Sequence, residues 1–159
     1  MKEIKAVALD VDGVLTDGGF WWGPNGEEFK QFNFADVMGI SLGRKAGLAF
    51  ALISGEGGKV LDQFAARTGI ADVYPRCKDK AAALRDFAGR HGFPLAEVCF
   101  MGDDVNDLGA LEIAGLKAAP ANAQAVVRQR ADLVTERSGG HGAVRELVDL
   151  LLERQGTET

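Results

Sequence analysis

Ile4-Lys5-Ala6-Val7-Ala8-Leu9-Asp10-Val11-Asp12-Gly13-Val14-Leu15-Thr16-Asp17-Gly18 is an apolar run that stops on two carboxylates and a glycine. It is hydrophobic at nearly every position rather than every second one, which predicts a strand buried on both faces. The same texture returns at residues 48–53, 72–74, 98–101, 116–119 and 132–134. Between these runs the period lengthens. Leu84, Phe87, Ala88 and His91 share one helical face, and Val144, Leu147, Val148 and Leu151 share another. Strands alternating with helices predict an α/β fold, a doubly wound parallel sheet.

The rhythm breaks once. Residues 19–22 and 28–34 are rich in aromatics and flank Gly23-Pro24-Asn25-Gly26. Asn-Gly in such a setting predicts a β-hairpin, inserted just after the first strand. A two-stranded ribbon is marginal alone. Alternation along residues 19–34 should leave aromatics on both of its faces, one for its own domain and one for a partner. The polar tail after Leu152 is expected to fray.

Composition bounds the function. The chain has 159 residues, enough for one domain with a real core, and its 47% hydrophobic and 26% charged content is ordinary for a soluble protein. A net charge of −5 without any basic block argues against nucleic acid. The apolar runs are too short to span a bilayer, and the N-terminus lacks the shape of a signal peptide. Cys77 and Cys99 form no CxxC pair, Cys99 reads as a core residue, and the cytoplasm is the expected compartment.

Ligands of an open parallel sheet bind at the carboxyl ends of its strands. The first strand ends in Asp10 and Asp12, the second in Ser54-Gly55-Glu56 and the fourth in Gly102-Asp103-Asp104-Val105-Asn106-Asp107; Lys78 and Lys80 follow the third. Clustered carboxylates repel one another unless a cation sits among them. Hard oxygen donors without His or Cys suit Mg²⁺ and disfavour zinc. A carboxylate beside such a cation can attack phosphorus and form an aspartyl-phosphate, while a hydroxyl, backbone N–H groups and a lysine stabilise the transferred charge. Ser54 fits a phosphate contact better than a helix cap, and Lys80, which opens a predicted helix, fits the role better than Lys78. Glu56 reads equally as a substrate contact or a first-turn helix charge. Asp17 and His141 read as turn residues, and His91 as structural.

These segments, DVDGVLTDG, Ser54-Gly55, Lys80 and GDDVND, resemble the four motifs of the haloacid dehalogenase superfamily. The resemblance implies a Rossmann-like single phosphatase domain over residues 1–159. It makes Asp10 the nucleophile and a metal ligand. Asp12 becomes the general acid and base, with its backbone carbonyl on the metal. Ser54, Gly55 and Gly13 become phosphoryl contacts, and Lys80 steadies the nucleophile. Asp103 would ligate Mg²⁺, helped by Asp104, and Asp107 would orient Lys80 or the metal shell. No cap domain interrupts the chain.

NGEEFKQFN and SGGHGAVRELVDLLL are similar to the capless branch that dephosphorylates 3-deoxy-ulosonic acid phosphates, where four subunits assemble and cover one another's sites. That implies a phosphorylated sugar acid as substrate and a homotetramer. Octulosonate enzymes carry Arg where this chain has Glu56, and Glu there resembles the nononate branch. Val37 stands where the family has Gly, and Phe64 where a basic residue is expected, with Arg67 a substitute charge. The competing expectations are an octulosonate or general sugar-phosphate phosphatase, a non-catalytic homologue, and a receiver-like signalling domain.

Overall fold

The computed structural model describes residues 2–157. Six parallel strands form the sheet: β1 (Ala6–Leu9), β4 (Ala49–Ile53), β5 (Asp72–Tyr74), β6 (Val98–Met101), β7 (Leu116–Ala119) and β8 (Leu133–Val134). Their order is β5-β4-β1-β6-β7-β8, so β1 lies near the centre, paired with β4 on one side and β6 on the other. The central strands are buried at every position, as their unbroken apolar texture predicts.

Six helices cover the two faces. Residues of α1 (Phe34–Lys45), α2 (Lys59–Thr68) and α6 (Ala143–Thr157) join Val7, Leu9, Leu52 and Met101 in one core. Residues of α3 (Lys80–His91), α4 (Leu108–Ile113) and α5 (Ala125–Arg130) join Ala8, Ile53 and Phe100 in the other. Phe87 and Phe100 are fully buried in that second core. Truncating either to Ala would cost about 3–5 kcal/mol through lost transfer energy and a cavity. Leu84, Phe87 and Ala88 point into it as their spacing predicts, while His91 at the helix end reaches out to Asp72 at 2.8 Å.

The inserted hairpin is present and shorter than expected. β2 (Trp21–Trp22) pairs antiparallel with β3 (Glu28–Phe29), and Gly26, at φ 82°, turns the loop between them. Phe34 does not belong to it. Asn33 accepts the Ala35 N–H at 2.8 Å and caps α1, so Phe34 opens that helix. Only Phe32 of the expected aromatic set covers its own domain, stacked 4.3 Å from the buried Phe64. Phe64 therefore does packing work where a basic residue was expected. Phe20, Trp21, Trp22 and Phe29 are all exposed, Trp21 by 76%.

The tail after Leu152 does not fray as expected. α6 continues through Thr157, and Gln155 Nε2 donates to the Ile4 carbonyl at 3.3 Å; the last two residues of that tail lie outside the described ones. A second long-range tie fixes the start of α6. Asp36 of α1 is wholly buried, and its Oδ1 accepts the Arg145 N–H at 3.0 Å while Oδ2 has no partner.

Candidate active site

The chain turns sharply where β1 ends. Val14, Leu15 and Thr16 all donate backbone N–H groups to the Val11 carbonyl, which folds residues 11–16 into a tight loop. Gly13 makes that loop possible. Its φ is +85°, and a Cβ there would collide with Asp103 Oδ2. The missing side chain therefore lets the β1 loop approach the β6 loop closely. The far side of the loop is held by Asn122, whose Nδ2 donates to the Gly13 carbonyl at 3.0 Å and whose Oδ1 accepts the Gly139 N–H at 2.7 Å.

Asp10 is buried at the loop's root. Its Oδ1 accepts the Val11 N–H at 2.7 Å and lies 3.1 Å from Lys80 Nζ. Lys80 is the first residue of α3, set there by Asp79, which caps the helix by accepting the Ala82 N–H. The same ammonium lies 2.7 Å from Asp107 Oδ1. Asp107 in turn accepts the Asp103 and Asp104 N–H groups on Oδ2, at 2.8 and 3.2 Å. A continuous buried line thus runs from the β1 end through Lys80 to the β6 loop. Asp107, expected to orient Lys80 or the metal shell, touches Lys80 directly.

The electrostatics follow from burial. Desolvation, joined by the Asp107 charge, holds the Asp10 carboxyl well above the usual carboxylate range. Burial alone would lower the Lys80 ammonium, but Asp10 and Asp107 together outweigh it and keep the lysine raised and charged. Burial also pushes the Asp103 carboxyl up to about 6. Asp10, Asp103 and Asp107 offer carboxylate oxygens all within 4.8 Å of one another. Asp107 is already committed to Lys80 and two N–H groups, so Asp10 and Asp103 are the side chains left for a cation. An all-oxygen set of desolvated carboxylates fits a hard divalent ion such as Mg²⁺. Asp104, the other expected ligand, lies outside that group; its Oδ1 accepts the Val105 N–H at 2.7 Å and caps the turn that follows β6.

Ser54 closes β4, buried, with its Oγ accepting the Glu56 N–H at 3.1 Å. Its loop is tied to the next one by the Cys77 N–H on the Ser54 carbonyl and the Arg76 N–H on the Glu56 carbonyl. Gly55 is exposed beside Asn106. Glu56 and Arg67 are exposed and line a cleft of about 890 Å³ together with Ser54, Lys59, Phe32 and Lys30.

Lys30 is the residue that sequence reasoning missed. It follows β3, its side chain is 8% exposed, and Nζ lies 2.9 Å from Asp12 Oδ1 and 3.1 Å from Oδ2. A lone lysine in an aromatic strand was the available signal, but pairing it across eighteen residues needs the hairpin's geometry. Asn122 gave no local signal at all.

A sequence profile of the haloacid dehalogenase-like hydrolases matches residues 45–147. The 3-deoxy-D-manno-octulosonate 8-phosphate phosphatase of Salmonella typhi is 39% identical over 155 residues, covering 98% of this chain and 82% of that protein. The Haemophilus influenzae phosphatase of the same name is 35% identical over 156 residues, covering 98% and 87%. Among solved structures, the Moraxella catarrhalis phosphatase in complex with magnesium, phosphate and a KDO molecule superposes with TM-score 0.92 at 34% identity, over 94% of this chain and 86% of that one. The cobalt-bound Haemophilus influenzae enzyme superposes at 0.94 with 36% identity, over 97% and 90%.

Proposed function

Because the chain belongs to the haloacid dehalogenase-like hydrolases, we propose that it is a single-domain, magnesium-dependent phosphatase of a 3-deoxy-ulosonic acid phosphate, with Asp10 as nucleophile. The observation that carries this reading is the buried Asp10–Lys80–Asp107 line with Asp103 packed against Gly13. It pre-sets a carboxylate nucleophile, a fixed positive charge and a cation site within one cluster.

The chemistry divides between residues already described. Asp10 Oδ1 is held by the Val11 N–H and Lys80, which leaves Oδ2 to attack phosphorus. The phosphorus–oxygen bond to the sugar breaks, and Asp12 gives its proton to the departing oxygen. Water then attacks the aspartyl-phosphate, Asp12 takes a proton from it, and phosphate leaves with Asp10 restored. Ser54 Oγ and the N–H groups of Asp12 and Gly55 are the donors for the phosphoryl oxygens, the other N–H groups of the β1 loop being spent within it. Asp10, Asp103 and the Asp12 carbonyl would hold a magnesium ion, which would supply charge neutralisation at the phosphoryl group.

The named relatives favour the eight-carbon octulosonate 8-phosphate as substrate. A nine-carbon nononate 9-phosphate is the second reading, favoured by Glu56, an exposed anion lining the same cleft as Arg67. The exposed Trp21, Trp22 and Phe29 on a two-residue ladder support a homotetramer in which hairpins pack on neighbouring chains. No helix among the described residues is long and apolar enough to cross a membrane. With two free cysteines, a reducing cytoplasm is the compartment we assign.

The test is phosphate release with Mg²⁺ over both ulosonate phosphates, hexose phosphates and nucleotides, with Asp10→Asn in parallel. The wild type is expected to turn over an ulosonate phosphate and the variant to be inactive yet folded. Near-normal turnover by Asp10→Asn would overturn the mechanism.

A further inference from the structure

We propose that Lys30 is a positioning residue that keeps the Asp12 carboxylate aimed during hydrolysis of the aspartyl-phosphate; the inference rests on the phosphatase reading above. Asp12 is needed in two states. It delivers a proton to the leaving oxygen, and then, as a carboxylate, it must take a proton from the attacking water. In that second step the water oxygen bonds to phosphorus and its proton passes to Asp12. The bond from phosphorus to Asp10 breaks with its electron pair returning to the carboxylate.

A half-exposed aspartate at a loop turn is free to swing into solvent between those two steps. Lys30 removes that freedom. Its Nζ reaches both carboxylate oxygens, at 2.9 and 3.1 Å, so rotation in either direction loses a charge-assisted bond. The lysine is itself held. Its side chain is only 8% exposed, against 33% for Asp12, and Glu28 Oε1 stands 3.8 Å away on the same ribbon. No other described cation makes an ion pair with Asp12, and Lys80 is engaged with Asp10 and Asp107. The two lysines therefore divide the cluster: one holds the nucleophile from the sheet, the other holds the proton carrier from the inserted hairpin. The hairpin is then part of the machinery and not only a wall.

The experiment compares wild type with Lys30→Met and Lys30→Gln in Mg²⁺, using p-nitrophenyl phosphate and rapid mixing. Nitrophenolate leaves without help from an acid, so aspartyl-phosphate formation should be nearly unchanged. Hydrolysis should slow, lowering kcat about tenfold to a hundredfold, a fraction of what general-base catalysis supplies, with KM falling in proportion so that kcat/KM is nearly unchanged. Nitrophenol should then appear as a burst matching the enzyme concentration, much larger than the wild type's. A rise in KM without a burst would overturn the inference and make Lys30 a substrate-binding cation. Wild-type kinetics in both variants would overturn it too, as would loss of folding in both, which would reduce the pair to a structural tie. Wild-type enzyme that releases no phosphate from any ester would instead overturn the phosphatase reading itself.

Discussion

Lys80→Met isolates the energetics of the buried line. Methionine replaces the lysine stem with an apolar chain of similar length and removes the ammonium 3.1 Å from Asp10 and 2.7 Å from Asp107. Asp107 is wholly buried and Asp10 is 5% exposed. Removing one partner of a buried ion pair costs about 3–5 kcal/mol, because the remaining charge stays desolvated. Here the residual hydrogen bonds pull the value to the low end. Asp107 Oδ2 keeps the Asp103 and Asp104 N–H groups, and Asp10 keeps that of Val11. A loss of about 3 kcal/mol is then expected, a large share of the roughly 5–15 kcal/mol that such a domain has. With a urea slope near 2 kcal/mol per molar, the midpoint should fall by about 1.5 M. The assay is urea unfolding at pH 7.5 in excess chelator, so that no bound cation substitutes for the lysine. Adding Asp107→Asn should restore part of the midpoint, since one of two facing negative charges is gone. A midpoint shift below about 0.3 M, or no recovery in the double variant, would refute the reasoning.

Further outcomes follow from other contacts. Gly13→Ala should cost about 1–2 kcal/mol for its left-handed backbone and, by displacing Asp103, should raise the Mg²⁺ needed for half-maximal phosphate release; a metal titration checks this. Burial raises the Asp36 carboxyl above its unfolded value of 3.8, so ionising it costs the folded state stability as pH rises from near 4 through the raised value. Asp36→Asn escapes that loss, and its stability relative to wild type in urea melts should be more favourable at pH 7 than at pH 4.5. Trp21→Lys should shift light-scattering mass toward the monomer and lower activity together, and an unchanged mass would remove the hairpin from the assembly interface.

The sheet was legible because burial on both faces leaves little room for polar residues along a strand, so residues 98–101 and 116–119 announce themselves. The carboxylates and Lys80 were legible because strand ends and helix starts are local features. What lay between distant segments was not. Asn33 carried a cap signal in Asn33-Phe34-Ala35-Asp36, yet the aromatic alternation around it outweighed that signal and stretched the hairpin. Asp104 read as a helper at the metal because it sits beside Asp103, while its bond to the Val105 N–H, which caps the following turn, carried no signal of its own. Gly139 drew no reading from the sequence, yet it packs so tightly on the Gly13 carbonyl that any side chain would collide with it.

The central place of β1 has a bearing on biosynthesis. The strand that ends in Asp10 is made before the other five strands of the sheet, and its two edges stay open until residues 49–53 and then 98–101 are available. Its loop gains its last ties only when Asn122 and Gly139 arrive. Vectorial synthesis therefore carries an apolar strand with one open edge until residues 98–101 are made, a non-local closure of the kind that slows folding and exposes sticky edges. Nascent chains stalled before residue 98 should engage holding chaperones, and chains released after residue 139 should not.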